Sequence, residues 1–198
     1  MRIYWIDLET TGLDPQKDQI LEMAIAESTL EDPLNTKVIF DRVFALPSFA
    51  ELSPFIVDMH TKNGLLADCA KAEQFAIDVE AELLELIPAA EGINEETGRP
   101  DLHALAGNSV HFDLGFLRAH LPKFAKRFSH RLYDVSAVGL FCRSLGMPKF
   151  KKAEAHRAAA DVAESIEMAR SCAQWLRKVP APTYRSEAQE ASDEVQGR

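Results

Sequence analysis

Cysteine is scarce. Three occur in 198 residues, and Cys69, Cys142 and Cys172 lie far apart with no CxxC pair. That spacing excludes a disulfide framework and a thiolate metal cluster, and it fits a reducing, cytoplasmic setting. No apolar run approaches the roughly twenty residues of a membrane helix. The opening, Arg2 followed by "IYWIDLE", lacks the pattern of a signal peptide. No membrane association is therefore expected. Basic charge is short as well. The 22 Lys and Arg face 31 Asp and Glu, a net charge of −9. That balance argues against a broad basic face tracking long nucleic acid, and leaves open a short substrate held at a metal site. The basic residues present gather late, in "PKFAKRFSHR" and "MPKFKKAEAHR". On charge alone such runs read as solvated surface.

The chain is 46% hydrophobic, enough for one ordinary core without staples. "IYWIDLE", "QILEMAIAEST" and "KVIFDRVFAL" read as three successive strands, with "TGLDPQKD" a turn between the first two. Short connections imply an antiparallel meander. After Pro54 the pattern turns helical, and "AEQFAIDVEAELLELI" places Phe75, Val79, Leu83 and Leu86 at helical spacing. "LHALAGNS" and "RLYDVS" each read as a short strand running into a helix. A long helix spans Arg157 to Lys178, with Val162, Ile166, Ala169, Ala173 and Leu176 as its stripe. "PAPTYRSEAQEASDEVQGR" has little to bury and is expected to be a disordered tail over 180–198. Residues 1–179 form one α/β domain, a mixed sheet with meander and then parallel strands, flanked by helices.

Asp7 and Glu9 disturb the first strand. Residues two apart share a strand face, so these two carboxylates point to one spot about 7 Å apart along the chain. They repel unless a cation lies between them, and a hard divalent ion with oxygen ligands fits. Equally, both could cap backbone groups of "TTGLD" at a frayed strand end. Asp113 falls on the inward side of its helix with Phe116 and Leu117, where an acid needs a partner. Asp161 lies among alanines on the long helix. Its one cation at helical spacing is Arg157, which offers an ordinary salt bridge. His156 is about 140° from Asp161 on a continuous helix, so it belongs on the entering loop or first turn, free to swing over the site.

"DLETTG", "GNSVHFD" and "HRAAAD" together resemble the three motifs of the DEDDh superfamily, the ribonuclease-H-like 3'-5' exonucleases. All five signature residues, Asp7, Glu9, Asp113, His156 and Asp161, are present in order. Within that superfamily "WIDLETTGLDP", "HTKNGL", "GNSVHFDLGFL" and "LYDVSAVGL" are similar to blocks of the oligoribonuclease family. That resemblance implies several things. Asp7, Glu9, Asp113 and Asp161 would hold two Mg²⁺ or Mn²⁺ ions, and His156 would be the general base. Leu13 and Phe55 would wedge against bases with His60 packed beside them. Ser109, Arg131 and Ser136 would cap the 5' phosphate of a short single-stranded RNA, down to a dinucleotide. The enzyme would be a homodimer, with the partner near His130.

The sequence departs from the family pattern in places. Phe55 stands where Trp is usual, Asn63 where Ser is usual, and His130 where Tyr precedes the capping Arg. The loop before "GNS" is longer, and "KKAEA" differs from the usual approach to the histidine. A looser cap is the consequence expected. From the residues themselves, Ser109 and Ser136 could equally be helix N-caps, and Leu13 and Phe55 could be core. Two rival functions share or borrow this set. One is a general single-stranded DNA or RNA exonuclease of the proofreading or trimming kind. The other is a binding module on a degenerate nuclease fold, which should lack at least one of the five residues; none is missing.

Overall fold

Apolar residues on both faces of the first strand set the architecture. The computed structural model describes residues 2–48, 50–93, 98, 101–151 and 156–179. The tail from Pro180 lies outside them. Strand β1 (Arg2–Thr10) is the middle of a five-stranded sheet of order β3-β2-β1-β4-β5, with β2 Ile20–Thr29, β3 Lys37–Val43, β4 His103–Gly107 and β5 Phe128–Asp134. β1 pairs antiparallel with β2, β2 antiparallel with β3, and β4 parallel with both β1 and β5. This is the meander followed by parallel strands that the sequence predicts.

Helices cover both faces. On one, Tyr4, Ile6 and Leu8 pack with Val79, Leu83, Leu114, Phe116, Leu117 and Phe124. These come from a 3-10 turn (Ala76–Val79), α3 (Glu80–Leu86), α4 (His111–His120) and α5 (Pro122–Ala125). On the other, Ile3 and Trp5 pack with Ala24, Ala26, Ala106 and the buried stripe Ala158, Val162, Ile166 and Ala169 of α7 (Ala158–Leu176). Alanines in β2 and β4, on either side of β1, let α7 lie close on the sheet. The remaining helices are α1 (Pro54–Lys62), α2 (Leu65–Cys69) and α6 (Val135–Ser144). Among the described residues no helix is long and apolar enough to cross a membrane. The three cysteines are free and buried.

Two helical stripes differ from the expected ones. Phe75 does not join the helix. Its backbone N–H is taken by the Asp78 carboxylate, so the chain enters through the 3-10 turn, and the buried set is Ala76, Val79, Leu83 and Ile87 while Leu86 is 39% exposed. At the far end of α7 the buried residue is Cys172, and Leu176 stands exposed. Gly107 ends β4 where a Cβ would come within 2.7 Å of the Ile6 carbonyl oxygen. Only glycine lets the chain turn there toward Ser109.

Candidate active site

Parity along β1 aims its acids. Ile3 and Trp5 face α7, so Asp7 and Glu9 continue that row beyond the apolar layer. Across the ladder Asp7 faces Ala24 and Glu9 faces Glu22. α7 contributes Asp161 from its first turn. Carboxylate oxygens of Glu9 and Asp161 and a ring nitrogen of His156 lie within 4.8 Å of one another. Burial, together with the charges of Asp161 and Glu22, pushes the Glu9 carboxyl up to about 8, with Arg157 opposing. A group of oxygen donors that disfavours its own ionisation suits a hard divalent cation, which removes that penalty.

Asp113 reaches the same end of β1 from α4. It is 5% exposed, and its Oδ1 accepts from the Leu8 N–H at 3.0 Å. Burial nonetheless raises its carboxyl to about 8. Asp7 and Asp113 line one open cavity of about 360 Å³ with Leu13, Asn108, Ser109 and His111. A larger cavity of about 710 Å³, beside Arg2 and His103, lies at the opposite end of β1 and holds none of the predicted residues. Chemistry rather than size singles out the smaller one.

Leu13 and Phe55 are not core: they are 80% and 71% exposed. Leu13 lines the cavity shared by Asp7 and Asp113. His60 is fully buried. Its Nε2 stands 3.8 Å from Glu9 Oε2, and burial lowers its pKa, so it walls the acid site as a neutral ring. Neither serine is an N-cap. The cap of α6 is Asp134, whose Oδ1 accepts from the N–H groups of Ser136 and Ser109 at 2.9 and 3.1 Å. Ser109 adopts φ 57, a left-handed conformation uncommon outside glycine, and its hydroxyl donates to that of Ser136 at 3.3 Å. The two hydroxyls thus form one polar corner. Arg131 and His130 are exposed on the edge strand β5.

Other predicted contacts differ. The Arg157 guanidinium is engaged by Glu22 and Asp68. The backbone of His156 is tied as well, because the Asn63 side-chain amide donates to its carbonyl. Sequence reasoning passed over Glu22, Asp134 and His111. Glu22 carries the same signal as Glu9, an acid in an apolar strand. Asp134 looked like an ordinary strand end. His111 sits 3.6 Å from Asp134 on the cavity rim.

These shifts have a measurable sign. In the metal-free protein Glu9 and Asp113 hold their protons up to about 8, whereas unfolded carboxyls lose them near ~4. The native state therefore binds more protons in between, and stability falls as pH rises toward 8. His60 and His103, both lowered by burial, act only below about 6.5. Across about pH 6.5 to 8 the metal-free Tm should fall, and Mn²⁺ should raise Tm more at the upper end, since binding displaces those protons. Thermal melts at fixed ionic strength check this; a metal-free Tm that climbs over that window contradicts it.

The family model described as Exonuclease matches residues 4–169, a span that takes in all five signature residues. The mitochondrial oligoribonuclease of Mus musculus is 36% identical over 176 residues, covering 84% of this chain and 69% of that protein. The oligoribonuclease of Corynebacterium diphtheriae is 34% identical over 83% of this chain and 78% of its own length. Among solved structures, the zinc-bound form of an Escherichia coli exonuclease I–single-stranded DNA complex superposes with a TM-score of 0.63 at 18% identity. It covers 89% of this chain, which spans only 41% of that one; the likeness is one of fold. Site, sheet order and sequence converge, and the chain belongs to the exonuclease family, within it to the oligoribonucleases.

Proposed function

We propose that this nuclease removes 5'-mononucleotides from the 3' end of short RNA, down to dinucleotides. The observation that carries this is the cluster of Glu9, Asp161 and His156 beside the Asp7 and Asp113 cavity. Asp7, Glu9, Asp113 and Asp161 would hold two divalent ions, Mg²⁺ or Mn²⁺. When bound, these acidify a water and offset charge on the phosphate and the leaving 3' oxygen. A ring nitrogen of His156 takes the proton of the attacking water. Exposed Leu13 and Phe55 wedge against bases, the Phe55 ring stacking on one. The Ser109–Ser136 corner and Arg131 receive a terminal phosphate. Asp134 fixes that corner: burial alone would raise its carboxyl, but bonds from Ser136 and Ser109 hold it below the usual range.

A second reading is a general single-strand exonuclease, and the exposure of Arg131 favours it, since an open cap limits length poorly. The ratio of rates on a 5'-phosphorylated dinucleotide and a decanucleotide decides. Arg131→Ala removes a charge-assisted contact and should slow the dinucleotide about ten- to a hundredfold, with far less effect on the decanucleotide, whose 5' end lies beyond the pocket. A ratio that the mutation does not move makes Arg131 a surface residue and the enzyme a general one. The same rates on DNA of equal length test sugar preference.

The homodimer is also proposed. Leu140, Phe141 and Leu145 stand 66%, 57% and 40% exposed on and just after α6, next in sequence to the edge strand that bears His130. A covered apolar face explains them. Light scattering at micromolar concentration should give twice the chain mass; a fully active monomer contradicts it.

A further inference from the structure

The site leans on an ion pair, its acid buried, that the reaction does not use. Glu22 is 3% exposed and lies directly across from Glu9, where a further acid raises the cost of ionising Glu9. Its oxygens are fully engaged. Arg157 Nε donates to both, at 3.0 and 3.1 Å, and Nη2 to Oε1 at 2.9 Å. The Ala158 N–H, at the head of α7, donates to Oε2 at 2.9 Å. Arg157 Nη1 also reaches Asp68 at 3.3 Å and the Asn63 carbonyl at 3.5 Å. Asn63 in turn holds the His156 carbonyl, and is itself fixed by accepting from the Leu65 N–H at 3.1 Å.

The His156 carbonyl is thereby tied to the α1–α2 corner and the Ala158 N–H, two residues on, to β2. His156 has φ 49, a left-handed conformation that a non-glycine residue keeps only where its surroundings impose it. Glu22 is buried although Arg157 is a third exposed, and burying a carboxylate, even paired, is a poor source of stability compared with apolar packing, so stability does not explain an acid in this row. Geometry does. We propose that Glu22 is a positioning residue for the reaction: through Arg157 and the first turn of α7 it sets His156 in its strained conformation over the acid cluster, with Asn63 as the second anchor.

This rests on His156 being the general base, and the test separates the two. Turnover of a 5'-phosphorylated dinucleotide at saturating Mn²⁺ is measured for wild type, Glu22→Gln, His156→Ala and the double variant, with Tm for each. Glutamine keeps the shape but sets an amide against the guanidinium. Glu22→Gln should lower kcat about ten- to a hundredfold, the range for groups that orient a reacting side chain, with KM little changed. In the His156→Ala background the same change should cost almost nothing, because no imidazole remains to be placed. Losses that multiply would make Glu22 a support for the acids or the fold and overturn the proposal. If Glu22→Gln does not fold, Asn63→Ala takes its place in the same cycle; a kcat equal to wild type, or a full loss repeated without His156, overturns it. Unchanged turnover in His156→Ala alone refutes the base assignment instead.

Discussion

Asp161→Asn should bring turnover to background and leave the fold intact. The substitution keeps the volume and removes one charge from a group in which burial, and then the charges of Asp161 and Glu22, push Glu9 up to about 8. Relief of that repulsion should hold the metal-free Tm at or above wild type, most visibly near pH 8, where the wild-type acids are forced to ionise. The Mn²⁺-induced rise in Tm should shrink together with activity, because a bound ion stabilises only the state that binds it. Asp7→Ala should behave alike in activity, and EDTA should silence the wild type. Activity in Asp161→Asn comparable to wild type, or full wild-type activity in EDTA, would remove metal from the chemistry. A stable, inactive protein is the signature of residues kept for reaction at some expense in stability.

His156→Ala carries the second largest effect, a fall of roughly 10²–10⁴ in kcat, as expected on losing a general base. Its ring nitrogen lies within 4.8 Å of the Glu9 and Asp161 oxygens, close enough to serve either as base or as an additional ligand. The two roles part on one measurement. A base leaves Mn²⁺ affinity largely unchanged, and its loss lessens at high pH as hydroxide becomes available. A ligand takes Mn²⁺ affinity with it. Calorimetric titration beside the rate profile distinguishes them, and a kcat unchanged across pH would take His156 out of the reaction altogether.

Local periodicity made most of the frame legible. Alternation in β1 foretells both cores and the direction of Asp7 and Glu9, and helix phase places Asp113 inward. What periodicity misses are contacts between distant segments. Arg157 is one turn from Asp161, the obvious partner by local spacing, yet it is bound to Glu22, 135 residues away in sequence. No pattern within α7 carries that information, although Glu22 is as anomalous in its strand as Glu9 is in its own. Small slips came from competing caps. Asp134 takes the N-cap of α6, so Ser136 lies inside the helix, where its hydroxyl donates to Asp134 and accepts from that of Ser109. The Asp78 carboxylate takes the Phe75 N–H and starts a 3-10 turn where a longer helix was expected. The exposure of Leu13 and Phe55 is likewise invisible to composition, since an apolar residue in a loop reads first as core.

The most direct measurement follows a 5'-end-labelled RNA of seven nucleotides over time, with Mn²⁺ and with EDTA. A metal-dependent enzyme acting from the 3' end yields a descending ladder of labelled products that ends in labelled 5'-mononucleotide, and yields nothing in EDTA. Labelled mononucleotide released at once from intact strands, or a ladder that persists in EDTA, would contradict the account.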